Sequence, residues 1–316
     1  MKDLMLIKKE ERIMKATRFI IPVILLAAAC QQVEIESPDN KETSETEIVE
    51  GVYTITIQAT KDEGETKALD LVTGTPDHLD AYWKSTEKVK VYKDGTLLGT
   101  LNVTPGSGSK PTSTTLSGSI TTAGLAPGDV LMLRIPGENW DYSGQVGTLS
   151  SIETTYDYAI ASVTIATVDA LNYTITTTGT ASFQNQQSIY RFGFKLSGNY
   201  IDPKAFTVSA SGGKLVQSLS WSGSAWAPLY GNIGVTPAAA PGDHFYYVSL
   251  RNDQTTDDTY NFIVTGSDDA LYMGSKAIPA GALGTPGKFI SVKNISVSQP
   301  SFTPASGSVD DPAEVL

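Results

Sequence analysis

The sequence predicts an all-β chain carried behind an export signal, and three observations predict it. From residue 51 onward, Gly, Ser, Thr and Pro recur about every ten residues, with short runs rich in Val, Ile, Tyr, Phe and Thr between them. No segment after residue 50 keeps a 3.6-residue apolar period, so almost no helix is expected. The one cysteine of the chain, Cys30, closes the apolar run "FIIPVILLAAAC".

Phe19 to Ala29 is too short to cross a membrane, which takes about 20 apolar residues. Lys15 and Arg18 precede it and Ala27, Ala28 and Ala29 end it, the build of a secretory signal over residues 1–29, with Met14 the better start. Leu26-Ala27-Ala28-Ala29-Cys30 resembles a bacterial lipobox, although Ala27 stands where an apolar residue is usual. In a lipoprotein the Cys30 thiolate is alkylated by a diacylglycerol and becomes the first residue. Each buried CH₂ contributes about 0.8 kcal/mol, so two or more acyl chains hold a protein on a membrane. An outer-membrane lipid anchor at the cell surface is the expected location.

Six of the 23 basic and three of the 34 acidic residues lie in 1–29, which leaves 17 against 31, a net charge of −14. That disfavours a nucleic-acid partner, which needs a clustered basic surface, and electrostatic adhesion to anionic lipid. With Cys30 capped there is no disulfide framework, and stability has to come from burial. Residues 30–50 include seven acidic residues and one basic one and read as an extended, self-repelling tether.

The strands follow in order. Tyr53, Ile55 and Ile57 share one face. Val89 and Val91 lead through "KDGT", whose Asp94-Gly95 suits a tight hairpin, into Leu97 and Leu98. Leu131, Leu133 and Ile135 alternate with Met132 and Arg134. In "YRFGFKL", Tyr190, Phe192, Phe194 and Leu196 point inward, and Arg191 and Lys195 outward. "HFYYVSLRND" and "YNFIV" read as buried on both faces. In "KFISVKNISV" the apolar phase slips between Val292 and Ile295, which a bulge near Asn294 explains. Some 13 to 15 strands exceed one sandwich, so two domains are expected, 51–185 and 186–300, parted at the polar stretch Thr176 to Ser188. Residues 301–316, with two prolines and no alternation, read as a flexible tail.

This order of pieces, with "TKALD", "AYWKSTEKVKVYKDG", "TTLSGSIT", "YRFGFKLSG", "DHFYYVSLRND" and "KFISVKNISV", resembles the fimbrillin family of type V pili, including its Mfa-like members. The likeness spans roughly residues 30 to 298 and rests on diffuse β patterns. The chain departs from the family at Thr86-Glu87, where Gly-Asp is usual, and at Lys67, where many members carry Arg. The resemblance implies two transthyretin-like (Greek-key) β-sandwich domains in tandem. It also implies export as a lipoprotein and polymerisation with other fimbrial subunits by strand exchange. The candidate displaced strand carries Tyr53, Ile55 and Ile57, and the candidate processing sites are Lys61 and Lys67. No arginine lies between Arg18 and Arg134, so release of that strand requires a lysine-directed cut. The incoming strand would be "KFISVKNISV" or the tail beyond it.

An enzyme is not expected. His78 and His244 are the only histidines, and GxSxG, HExxH, GxGxxG and Walker A patterns do not occur in the sequence. No cofactor and no transition-metal site is expected. "NDQTTDD" offers carboxylates to Ca²⁺, against the commoner reading of a solvated acidic loop. Trp140 and Tyr142 in "NWDYSG" and Trp221 and Trp226 in "WSGSAW" offer aromatic faces to sugars. The alternative function is therefore a surface glycan-binding lipoprotein, with host or bacterial surface glycans or proteins as partners.

Overall fold

The computed structural model describes residues 51–61, 69–74, 77–122, 124–135, 140–222 and 225–300. Cys30, the signal, the tether, Lys67 and the tail lie outside them. The described residues are nearly all β, in three sheets. The first strands are β1 (Gly51–Lys61), β2 (Leu69–Val72), β3 (His78–Ala81), β4 (Lys88–Lys93), β5 (Thr96–Pro105), β6 (Ser113–Thr122) and β7 (Val130–Ile135). Next come β8 (Trp140–Asp141), β9 (Ala159–Asp169), β10 (Thr174–Thr178), β11 (Ala181–Asn185), β12 (Ser188–Leu196), β13 (Asn199–Ile201) and β14 (Ala205–Ala210). The last are β15 (Leu215–Trp221), β16 (Trp226–Tyr230), β17 (Ile233–Val235), β18 (Tyr246–Asn252), β19 (Asp258–Thr265), β20 (Leu271–Ile278) and β21 (Phe289–Ser298).

Eight strands form the sheet β10-β1-β11-β9-β7-β4-β5-β6, and the further pairing of β1 with β6 closes it on itself as a barrel. Closure removes the open edges that would otherwise template aggregation. The β4–β5 connection uses Asp94 (φ 49°) and Gly95 (φ 83°), the left-handed pair that a two-residue hairpin needs. The second system orders β16-β15-β18-β12-β21-β20-β19-β14-β17, with β13 beside β12 and β8 beside β15. β12 and β21 run parallel, and their register slips between Phe192 and Phe194 opposite Val292 and Ile295. Asn294 sits at that slip with φ 64°, so the change of apolar phase is a bulge.

Several expectations change. The described residues hold 21 strands rather than 13 to 15. The surplus is in pieces such as β8, β13 and β17, too short to show alternation. "YNFIV" is not buried on both faces, because β19 alternates and Ile263 is 48% exposed. Arg134 and Arg191 point away from their apolar neighbours along the strand, yet both are buried. Arg134 lies among Tyr92, Trp221 and Trp226, with its guanidinium carbon 3.9, 4.9 and 4.8 Å from the ring centroids. The polar stretch 176–188 is not a plain linker: it forms the end of β10 and all of β11, with Ala181 and Phe183 in the barrel core.

The chain between β7 and β9 clasps the second system. Trp140, Tyr142 and Tyr158 belong to its core rather than to the barrel's. β8 pairs with β15 through Asp141–Ser218 and Trp140–Leu219. The buried Gln145 amide imitates a strand. Its Nε2 donates to the Ser249 carbonyl at 2.7 Å, and its Oε1 accepts from the Ser249 N–H at 2.8 Å. Burial raises the Tyr158 hydroxyl to about 12, so it stays protonated and donates to the Asp141 carbonyl at 2.8 Å.

Candidate functional site: the seat of the first strand

β1 alternates without a break. Tyr53, Ile55, Ile57, Ala59 and Lys61 are buried, whereas Val52, Thr54, Thr56 and Gln58 are exposed. The alternating apolar set is what the sequence displays, and it puts one face of β1 into the barrel core with Val89, Leu101, Leu116 and Leu131. One edge of β1 pairs antiparallel with β6 from Gly51–Thr122 to Thr60–Ser113. The other edge pairs parallel with β10 at Thr54–Thr174 and Ile55–Ile175, and with β11 from Ala59–Ala181 to Lys61–Phe183.

Withdrawing β1 would therefore leave a slot with a row of empty apolar sites in its floor. β6 would flank it on one side, and β10 and β11 on the other, each with unsatisfied backbone groups. A cleft of about 390 Å³ opens beside its start, lined in part by Leu97, Leu98, Thr121 and Thr122. Thr121 and Thr122 are the β6 residues opposite Val52 and Gly51.

Lys61 ends the strand inside the fold. It is 6% exposed, and its Nζ donates to the Tyr82 carbonyl at 2.7 Å. The same ammonium lies 3.6 Å from Glu87 and 4.2 Å from the Trp83 ring centroid. Trp83 is anchored in turn by its indole N–H to the Thr112 carbonyl and edge-on to Phe183. Sequence reasoning grouped Lys61 with Lys67 and did not find its partners Trp83 and Glu87. The signal was available: Lys61 continues the inward parity of Tyr53, Ile55, Ile57 and Ala59. The "WKSTE" segment brings its ring and its carboxylate together.

Other sequence candidates fall elsewhere. Trp140 and Tyr142 are wholly buried, with Trp140 stacked between Tyr158 and Trp226 at 5.3 and 4.2 Å. They offer no face to a sugar. The carboxylates of "NDQTTDD" are taken by donors. Asp258 accepts from the N–H groups of Gly212 and Thr259 and from the Asn252 amide. Asp257 accepts from the Ala280 N–H, and Asp253 from Arg251 and the Tyr230 hydroxyl. Among the described residues no group of three His, Cys, Asp or Glu side chains converges.

No known family pattern matches the chain, and no curated protein does. Among solved structures it is similar to a fimbrial assembly protein from Parabacteroides distasonis at 10% identity and TM-score 0.38, over 78% of this chain and 91% of that one. It is also similar to a fimbrial protein from Bacteroides ovatus at 9% identity and TM-score 0.31, over 78% of this chain and 50% of that one. A third, with a provisional cell-adhesion name and also from Bacteroides ovatus, has 11% identity and TM-score 0.39, over 79% and 97%.

Proposed function

We propose that the chain is a structural and adhesive subunit of a cell-surface fimbria, exported as a lipoprotein through Cys30 and assembled by exchange of β1 for a strand of another subunit. In this reading its two halves, 51–185 and 186–300, are transthyretin-like folds in tandem, the first closed into a barrel by the β1–β6 pairing and lending Trp140, Tyr142 and Tyr158 to the core of the second. The observation that carries it is the seat of β1: the first strand of the folded body is paired along both edges and inserts an unbroken apolar row. A strand held this way can be replaced by any strand with the same alternation, because ladder bonds are sequence-independent and the pockets ask only for side chains of similar size. Refilling the sites of Tyr53, Ile55 and Ile57 contributes about 5–8 kcal/mol before ordering costs.

Release requires a cut after β1. Lys61 is a poor site, because its side chain is bound by Tyr82, Trp83 and Glu87, so the reading takes Lys67. A lysine-directed cut makes the chain a shaft subunit. Without it the lipid and β1 both stay, and the chain serves as an anchor or accessory subunit. β21 is built between β12 and β20 with Val292, Ile295 and Val297 buried. Its donation would open the second core, so the incoming strand comes from outside residues 289–298.

A chain beginning at Ala68 tests this. It is expected to form ladders that survive detergent without heating, and an excess of the peptide GVYTITIQATK is expected to stop them. A truncated chain that stays monomeric, or ladders indifferent to the peptide, would overturn the exchange mechanism. Mass spectrometry of surface-sheared protein separates the roles, a lipidated Cys30 marking an anchor and a terminus at Ala68 a shaft subunit. An unlipidated, intact Cys30 would remove the lipoprotein step.

A further inference from the structure

The glycine in the middle of "YRFGFKL" is unexplained by strand alternation. Gly193 lies on the outward face of β12, at the place where the register with β21 slips. A Cβ there would sit 2.6 Å from the Phe245 ring and 3.1 Å from the Tyr200 ring. The missing side chain leaves room for two aromatic rings to approach the strand backbone. Around them the surface is unusually specified. Tyr200 is near-parallel to the His244 imidazole, at 7° and 5.9 Å between centroids, and edge-on to Phe245 at 5.5 Å. Its hydroxyl donates to Asn294 Oδ1 at 2.9 Å. His244 Nδ1 is 2.9 Å from an Asp202 carboxylate oxygen.

His244 and Asn294, on which the Tyr200 ring and hydroxyl rest, both have left-handed backbones, with φ 61° and 64°. Asn and His adopt this conformation more readily than most side chains, and the bulge at Asn294 re-aims its side chain toward Tyr200. The cluster is not a core. Tyr200 and Phe245 are half-buried, and the side chains of His244 and Asp202 are 43% and 29% exposed. Two groups are left for a ligand. His244 Nε2 makes no hydrogen bond among the described residues. The Lys195 ammonium, 4.5 Å from the Tyr200 ring centroid, has no carboxylate within 4 Å among them.

We propose that the Tyr200–His244–Phe245 surface is a carbohydrate-binding site. A pyranose has an apolar C–H face that stacks on aromatic rings and a rim of hydroxyls that need both donors and acceptors. The half-exposed rings supply the first where the cations beside them, Lys195 at Tyr200 and Arg191 and Lys293 at Phe245, do not cover them. Lys195 donates, Asp202 and Asn294 Oδ1 accept, and His244 Nε2 is a further polar atom for the rim. A shallow site of this kind binds one saccharide weakly, and repetition along a polymer multiplies that affinity without any new contact. The site itself does not depend on strand exchange.

The test is a glycan array of neutral and acidic saccharides probed with the full chain in detergent, beside Tyr200→Ala, Tyr200→Phe and Lys195→Ala. The wild type is expected to bind at least one pyranose class. Tyr200→Ala should lose about tenfold or more in affinity, and Tyr200→Phe, which keeps the ring, should stay within about threefold. Lys195→Ala leaves the rings and the Asp202–His244 pair in place and should lose about three- to fivefold. It decides the matter if Tyr200→Ala misfolds. No binding by the wild type, or binding untouched by Tyr200→Ala in folded protein or by Lys195→Ala, would overturn the proposal. Detergent-resistant ladders should be the same for all four proteins, so a failure here leaves the assembly mechanism standing, and the reverse.

Discussion

The two cores are built from different materials. The barrel core is aliphatic: of its 21 buried members only Tyr53, Trp83 and Phe183 are aromatic. Eleven of the 25 in the second core are aromatic, and they interlock. Phe192 meets Phe262 edge-on at 5.2 Å and Phe194 lies 4.9 Å from Phe206. The buried Tyr260 hydroxyl donates to that of Tyr190, which donates to the Ala282 carbonyl. Rings meeting at fixed angles, with buried hydroxyls that must be bonded, accept one arrangement. Branched aliphatic side chains in a row accept near-equivalents. The difference teaches where exchange belongs. β1 sits in the tolerant core, whereas β21 sits in the exacting one and is poorly suited to leave it.

The sharpest way to break this contrast is a truncation in the second core. Phe192→Ala is expected to cost about 3–5 kcal/mol, read as a fall in the urea midpoint. A much smaller loss would mean that the rings do not interlock as described. Next comes the tolerance of the barrel. Ile57→Val is expected to cost about 0.5–1.5 kcal/mol and to leave peptide-blocked assembly intact. If that single methylene cost as much as Phe192→Ala, the slot would be as exacting as the second core, and exchange with an unlike strand would fail.

The smallest effect tests what ties the strands after β1 to the second sheet. Asp77, just ahead of β3, faces Arg191 and Lys293, and the apolar β2–β3 residues Leu69, Leu71 and Leu79 pack with Ile189, Tyr247 and Phe289. The Gly74 N–H, then Lys293 and then Arg191 hold the Asp77 carboxyl well below its ordinary value of 3.8. A carboxylate depressed in the fold stabilises it above the unfolded value, and that contribution drains away as pH falls through 3.8 toward the folded value. The melting-temperature lead of the wild type over Asp77→Asn should therefore be full at neutral pH and shrink below 3.8. A lead that is constant with pH would show that the carboxylate charge is not what secures this hairpin.

Local chemistry made much of this legible. The period-2 rows of β1, β7 and β12, the Asp94-Gly95 hairpin and the phase slip at Asn294 are properties of a few neighbouring residues. Side-chain parity and turn φ angles do not need the rest of the chain, so the sequence by itself determined an all-β body with these strand faces. Pairing is another matter. That β1 lies between β6 and the later β10 and β11, closing a barrel, depends on contacts far apart along the chain: Thr60 with Ser113 and Gly51 with Thr122 on one edge, Thr54 with Thr174 and Ala59 with Ala181 on the other. Nothing local specifies which of many similar strands will meet. Burial of polar residues was equally hidden. Parity sends Arg134 and Arg191 outward, and only a second layer, the Trp221–Trp226 hairpin over one and Asp77 with Phe245 over the other, turns those outer faces into interior. Trp140 and Tyr142 resemble a surface sugar platform until β8 carries them into the second core. Gly193 reads as a weak point of its strand until the Phe245 and Tyr200 rings, brought from 52 and seven residues away, take up the space that a Cβ would fill. Alternation tells a side chain which way to point, but only the tertiary structure decides what stands on that side.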